Sequence, residues 1–285
     1  MQELPSLRET VEKHGLLAKK SLGQNFLLDM NITEKIIRSS LALQSKENFS
    51  DSHVYEIGPG PGGLTRAILK SNPRTLTVIE MDSRCIEIMQ EIKHIVGEQL
   101  QIVEGDAMQF DFGSLSDISQ HVISNLPYNI SVPLLIGWLK NMQNFKSLTL
   151  MFQKEVAERI MAPINNKSYG RISVLAQLVC KIDKLFDLNP NCFVPAPKIW
   201  SSVLLFRPNE TIISPDILRE VEKITELAFG QRRKMIRQSL KTLPNLEEIC
   251  LKIGIDLTMR AENLTPEQYL LLAVEINKAT LNTKI

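Results

Sequence analysis

The chain has 285 residues, 44% of them hydrophobic, and a formal net charge of +1. That is enough for a sizeable core, and it leaves no whole-molecule field able to hold a polyanion, so any such surface must be a local patch. The sequence shows no eighteen-residue apolar run, no signal-peptide core and no CxxC pair among Cys85, Cys180, Cys192 and Cys250. We therefore expect a soluble cytoplasmic protein with reduced thiols and no membrane span. The four histidines are isolated, so no metal is expected.

Residues 1–20 are polar and mixed in charge, and residues 20–27 are too irregular for a helix. Asp29 or Asn31 can cap a helix carrying Ile32, Ile36, Ile37 and Leu41. A buried strand is predicted over 54–57. It runs into Gly58-Pro59-Gly60-Pro61-Gly62-Gly63 and then a helix holding Leu64, Ala67, Ile68 and Leu69. Strand, glycine turn and helix make a nucleotide-binding arrangement, in which backbone approaches the ligand closely at a helix N-terminus. A second strand over 76–79 ends at Glu80 and Asp82. Glu80 lies 22 positions after Gly58, the usual place for a carboxylate that takes both ribose hydroxyls of an adenosine. A helix over 85–95 and a third strand over 100–103 follow, the strand ending in Glu104-Gly105-Asp106.

The fourth strand carries His121-Val122-Ile123-Ser124 and stops at Asn125-Leu126-Pro127-Tyr128. Proline ends the strand and throws the next residues onto a loop at its C-terminal end, where open α/β sheets bind ligands. This loop suits transfer to an amino group on a flat ring. Such an amine is a poor nucleophile because its lone pair is delocalised. Acceptors aimed at its N–H bonds pull the nitrogen towards tetrahedral geometry. Asn125 offers a side-chain carbonyl, Leu126 a backbone carbonyl ahead of Pro127, and Tyr128 a face for stacking.

Further on, a helix over 132–142, a strand over 148–152 and helices over 154–161 and 172–180 are predicted. Two more strands, over 184–188 and 202–206, flank Phe193-Val194-Pro195-Ala196-Pro197-Lys198, whose prolines fix an extended loop. Beyond Pro215 only helical patterns occur. Residues 1–210, with an N-terminal extension over 1–28, are therefore expected to form one α/β domain, and 211–285 a small all-helical one. The segment 228–241 carries Arg232, Arg233, Lys234, Arg237 and Lys241 and no acid. At helical spacing Arg233, Arg237 and Lys241 fall on one face, with Lys234 beside them.

Gly58, Gly60 and Gly63 satisfy a dinucleotide fingerprint, and the same stretch, from Glu56 to Gly62, also satisfies the E-x-G-x-G-x-G loop of methyltransferases. Two features tilt the choice away from a nicotinamide oxidoreductase. Pro59 and Pro61 remove amide donors that a pyrophosphate would use, and Asn-Leu-Pro-Tyr has no evident task in hydride transfer.

Lys20 to Leu27, Glu56 to Gly62, Asn125 to Tyr128, Phe193 to Lys198, and Phe229-Gly230-Gln231-Arg232-Arg233-Lys234 together resemble the ribosomal RNA adenine dimethyltransferase family, and its small-subunit branch most closely. Ile199-Trp200 departs from the valine more usual there. The resemblance implies a class I, Rossmann-like methyltransferase sheet of seven strands, one of them antiparallel, with a helical C-terminal domain. It implies S-adenosylmethionine at Asn25, Leu27, Gly58, Gly60, Glu80, Asp106 and Asn125, with Glu80 on the ribose and Asp106 on the cofactor's adenine amine. A target adenine would stack between Tyr128 and Phe193, with Asn125 to Tyr128 as the catalytic loop. Lys198 and the five basic residues of 228–241 would contact RNA. The implied partner is 16S ribosomal RNA in the small (30S) subunit or its precursor, dimethylated by a monomer at two adjacent adenosines. Two alternatives stay open: a large-subunit (23S) RNA methyltransferase conferring antibiotic resistance, and a ribosome assembly factor whose catalysis is secondary.

Overall fold

A computed structural model describes residues 4–16, 25–113 and 118–282. In chain order the elements are α1 (Leu7–Lys13), β1 (Phe26–Leu27), α2 (Met30–Leu43), β2 (Ser52–Ile57), α3 (Gly63–Lys70), β3 (Thr75–Glu80) and α4 (Ser83–Val96). Then come β4 (Leu100–Glu104), β5 (Ser119–Ser124), α5 (Ser131–Lys140), β6 (Ser147–Gln153), α6 (Lys154–Ile160), α7 (Arg171–Val179), β7 (Cys180–Leu188), β8 (Phe193–Val194) and β9 (Ser201–Pro208). Helices α8 (Pro215–Gly230), α9 (Ile236–Ser239), α10 (Leu246–Lys252) and α11 (Pro266–Asn282) complete the order.

Seven strands form one sheet in the order β4-β3-β2-β5-β6-β9-β7. Strands β2 to β6 pair in parallel, and β9 runs antiparallel to β6. The central strands are apolar runs because helices cover both faces of a parallel sheet. Val54, Ile57, Leu76, Val78, Val122 and Ile123 are all at most 2% exposed, and complete burial of each such side chain contributes about 1.5–3 kcal/mol. From β2 the chain steps outward to β3 and β4, then returns to β5 on the other side of β2. That reversal leaves a crevice above the C-terminal ends of β2 and β5, the usual ligand position in such sheets. The antiparallel register Gln153↔Ser201 brings the start of β9 to the same edge.

Local signals account for the helices around the sheet. The Asp29 side chain caps α2 by accepting from Asn31 N at 2.9 Å, and Thr33, Ile36, Ile37, Ser40 and Leu41 form its buried stripe. Asp82 caps α4, which buries Cys85, Ile88, Met89 and Ile92. Two pieces were not expected from sequence. Helix α1 opens on a capping box between Ser6 and Glu9. Strands β1 and β8 form a separate antiparallel ladder, Phe26↔Val194 and Leu27↔Phe193.

The chain divides into two compact units. The first holds residues 1–135, 143–154 and 183–207; the second holds 136–142, 155–182 and 208–285. The second unit thus takes in α7 and most of α6, which the sequence boundary at 210 had grouped with the sheet. In its interior Phe229 lies between the rings of Tyr169 and Tyr269, at 5.9 and 6.0 Å. The hydroxyls of those tyrosines donate to Leu264 O and Ala261 O.

The helix expected through 228–241 is not continuous. Helix α8 ends at Gly230, residues 231–233 form a turn, and α9 spans only Ile236–Ser239. Met235 is extended and bridges Arg260, and Ile236 N donates to Met259 O at 2.8 Å. Pairing with a distant segment has displaced local helix propensity, so Arg233, Arg237 and Lys241 do not share one helix face.

Candidate active site

A cavity of about 340 Å3 opens above the β2–β5 crevice, and all the residues lining it belong to the first unit. Its floor is the glycine loop. Gly58, Gly60 and Gly62 have φ of 63°, 55° and 83°, the left-handed region open mainly to glycine. Close approach matters as much as φ. A Cβ on Gly60 would lie 2.9 Å from the Phe26 ring, and one on Gly63 would lie 2.4 Å from the Leu27 carbonyl oxygen. The β1 segment therefore lies directly on the loop, and Asn25, Phe26 and Leu27 form part of the cavity wall. The expected Lys20 to Gln24 part of that segment falls outside the described residues.

Two carboxyl groups face the cavity from adjacent strands. Glu80, at the end of β3, is 8% exposed. Its Oε1 accepts from Met81 N at 2.8 Å and Asp82 N at 2.9 Å, while Oε2 has a longer contact, 3.4 Å, with Gly60 N. Burial raises its pKa; those backbone donors oppose the shift, and the Asp82 charge adds to it. Glu56, at 1% exposed, accepts from Thr65 Oγ1 at 2.7 Å. Burial pushes its carboxyl up to about 8, against the Thr65 hydrogen bond and with help from the Glu80 charge. The sequence singled out Glu56 only as the first letter of a motif.

Glu56 gives a pH-dependent stability with a definite sign. Its pKa in the fold is above the ordinary 4.5, so the native state holds a proton that the unfolded chain has released. The resulting stabilisation is complete below about 4.5 and is lost as pH rises towards about 8. Thermal unfolding from pH 5 to pH 8.5 should show a falling Tm in the parent and a flatter profile in Glu56→Gln. Parallel profiles would mean that Glu56 is ionised in the fold.

Asp106 follows β4. Its Oδ1 accepts from Met108 N at 2.9 Å, and Gly105 N donates to Glu80 O at 2.9 Å, which keeps the two strand ends in step. Met81 and Met108 also line the cavity and stay 60% and 47% exposed. Sequence reasoning did not pick them out. The available signal was an apolar residue one or two places after a strand-terminal acid.

The Asn125-Leu126-Pro127-Tyr128 loop forms the facing wall. Asn125 Nδ2 donates to Asn25 O at 3.0 Å, which fixes the amide. Among the described residues no hydrogen bond engages Asn125 Oδ1 or the Leu126 carbonyl. The Tyr128 hydroxyl lies 2.8 Å from Ser201 Oγ, so β9 pins its ring, and burial raises the phenol pKa against that hydrogen bond. Asn25, Leu27, Gly58, Gly60, Glu80, Asp106 and Asn125 to Tyr128 thus surround one cavity.

The other expected site residues lie elsewhere. Phe193 is 2% exposed, sits in the apolar core and is paired with Leu27, and it does not line the cavity. Stacking on a base would need its ring to leave that core. Lys198 is exposed on the loop that follows. In the second unit Arg232 pairs with Glu262 at 2.7 Å, donates to Asn166 O and lies 5.9 Å from the Phe229 ring, so a carboxylate remote in sequence neutralises it. Arg233, Lys234, Arg237 and Lys241 are exposed, and none has an ion-pair partner among the described residues. The described residues contain no group of three or more His, Cys, Asp or Glu able to hold a metal. None of their helices is long and apolar enough to cross a membrane.

A seven-stranded sheet of this order, with glycine loop, strand-end acids and Asn-Leu-Pro-Tyr loop around one crevice, defines a Rossmann-like methyltransferase. The family model described as Ribosomal RNA adenine dimethylase matches residues 15–278, and the chain belongs to that family. Similar curated proteins include the ribosomal RNA small subunit methyltransferase A of Rhodospirillum rubrum, 45% identical over 97% of this chain and 94% of that protein. The protein of the same name from Rhizobium johnstonii is 47% identical over 95% and 97%. Among solved structures, a dimethyladenosine transferase from Plasmodium falciparum superposes with TM-score 0.72 at 27% identity, covering 88% of this chain and 96% of that one. The 23S rRNA methyltransferase ErmE shares the fold, with TM-score 0.63 at 22% identity over 89% and 100%.

Proposed function

We propose that this enzyme dimethylates the exocyclic amine of two adjacent adenosines in small-subunit (16S) ribosomal RNA, using S-adenosylmethionine. The observation that carries the reading is that the glycine loop, with its strand-end acids, and the Asn125–Tyr128 loop face each other across one cavity. The residues present fit this cofactor. Pro59 and Pro61 offer no amide donors for a pyrophosphate, whereas Glu80 Oε2 and the half-buried Asp106 carboxyl are acceptors for a ribose and an adenine amine. When bound, S-adenosylmethionine supplies the electrophilic methyl group.

The chain's own residues do the rest. Tyr128, held by Ser201, gives the target base a flat wall. Asn125 Oδ1 and the Leu126 carbonyl accept from the target amine and direct its lone pair across the cavity. No strong base is required, because the amine becomes acidic as it is alkylated; most of the rate comes from positioning. The test is methyl transfer from labelled cofactor to purified small and large subunits. Transfer to the small subunit at adenine N6 is expected, and transfer to the large subunit alone would overturn the reading.

RNA affinity is assigned to the exposed cations of the C-terminal part, Arg233, Lys234, Arg237 and Lys241, with Lys198. Phosphate neutralisation makes binding salt-dependent through counterion release. Changing Arg233 and Arg237 together to Gln should weaken binding to the small subunit and flatten the slope of log K against log salt by about one per lost contact. Cofactor affinity should hold, because the cavity lining lies in the other unit. Affinity titrations at several salt concentrations check this; superimposable lines would show that the two side chains face only water.

A further inference from the structure

Arg66 stands behind the glycine loop, in the second turn of α3, 5% exposed. Among the described residues it has no carboxylate partner, an unusual state for a buried cation. Its contacts are four neutral acceptors. Nη1 donates to Pro61 O and Gly62 O, both at 2.9 Å; Nη2 donates to Thr10 Oγ1 at 2.9 Å and Pro5 O at 3.3 Å. Nε is buried without a partner. An apolar side chain would fill this volume more cheaply, so what the guanidinium provides is four directed bonds.

Their targets fall into two pairs. Two are carbonyls of the loop that forms the cavity floor; the other two belong to α1 and the segment just before it. Helix α1 also packs Leu7 towards Gly63, where an added Cβ would come within 3.2 Å of Leu7 Cδ2. Lys13 Nζ and His14 Nε2 tie its C-terminal end to Glu91 of α4, at 2.7 and 3.1 Å. Yet α1 precedes residue 15, where the match to the family model begins. A helix outside that match is thus joined by one buried side chain to the cofactor loop.

We propose that Arg66 is a positioning residue for the cofactor, and that α1, through it, is a working part of the cofactor site. By gripping the Pro61 and Gly62 carbonyls it fixes the peptide orientations that present Gly58 and Gly60 to the ligand, and its anchor is Thr10 and Pro5. This rests on the reading of the cavity as an S-adenosylmethionine site.

The experiment is calorimetry with S-adenosylmethionine on the full chain as parent, Arg66→Met, Arg66→Lys, Thr10→Val and the Arg66→Met/Thr10→Val double variant, with steady-state kinetics alongside. Arg66→Met should raise Kd about tenfold and Thr10→Val about threefold, the scale of losing two or one directed hydrogen bonds. Arg66→Lys should fall between Arg66→Met and the parent. The double variant should be no worse than Arg66→Met, because Thr10 acts through the guanidinium. KM for the cofactor should follow Kd while kcat at saturation falls much less, a split that general loosening of the fold would not produce. Parent-like affinity in Arg66→Met overturns the proposal, as does full additivity in the double variant. If Arg66→Met does not fold, Thr10→Val decides, and an unchanged Kd there overturns it. A parent that fails to bind S-adenosylmethionine overturns the underlying reading of the cavity; a parent that binds beside an equally tight Arg66→Met overturns only the role of Arg66.

Discussion

Asn125→Ala should lower the single-turnover methylation rate about 100-fold or more while leaving small-subunit affinity nearly unchanged. The reason is the division of labour within one side chain. Nδ2 is committed to Asn25 O at 3.0 Å, which leaves Oδ1 as the end that the proposed mechanism uses to accept from the target amine. That acceptor matters most when positive charge develops on the attacking nitrogen. Its loss therefore costs transition-state stabilisation more than ground-state binding, on the scale of removing one preorganised polar group from an active site. Asn125→Asp separates geometry from charge: it keeps an acceptor but loses the donor that holds Asn25. Quench-flow with labelled cofactor on pre-bound particles is the measurement. A rate within threefold of the parent would move the catalytic role from the side chain to the Leu126 carbonyl.

Glu80→Ala should weaken S-adenosylmethionine binding by about 1.5–3 kcal/mol, the range for hydrogen bonds to a charged group. The carboxylate is already oriented: Met81 and Asp82 amides hold Oε1, and Oε2 keeps only the 3.4 Å contact with Gly60. Truncation removes the acceptor assigned to the ribose and also leaves two close backbone donors without their partner. Glu80→Gln should be milder, since its carbonyl can take the place of Oε1. Calorimetry reads both, and equal affinity in the parent and the alanine variant would remove Glu80 from the cofactor site.

What could be read from sequence was what is local. Short apolar runs with β-branched residues gave the sheet strands, and the turn chemistry of residues 58–63 gave the cavity floor. Glu80 was legible from its spacing after Gly58 and Asp106 from the family resemblance; the structure shows β3 and β4 ending in step, Glu80↔Glu104, which brings both to one cavity. Long-range pairing was not legible. Strands β1 and β8 are two residues each, and neither has a pattern that announces the other. Phe193 beside two prolines looked like a stacking platform, but its partner Leu27 puts it in the core. The basic segment read as one helix because Met235 gives no hint that it will bridge Arg260. Helix α1 was a different kind of miss. Ser6 and Glu9 carry a capping signature, but the polar surroundings conceal a stripe of only Leu7, Thr10 and Val11.

The short ladder of β1 on β8 has a thermodynamic consequence. Its first strand lies on the glycine loop, where Phe26 and Leu27 leave no room for a side chain on Gly60 or Gly63, and Asn25 just before it orients the Asn125 amide. Its second strand leads into the 195–198 loop, which carries the exposed Lys198 assigned above to RNA. On the roles proposed above, the ladder ties the cofactor cavity to a loop assigned to RNA, so ordering it for one ligand prepares it for the other. Cofactor and small subunit should then each tighten the other's binding, and linkage requires the factor to be the same in both directions. Small-subunit affinity measured with and without S-adenosylmethionine checks this; equal affinities would show that the ladder does not couple the two sites.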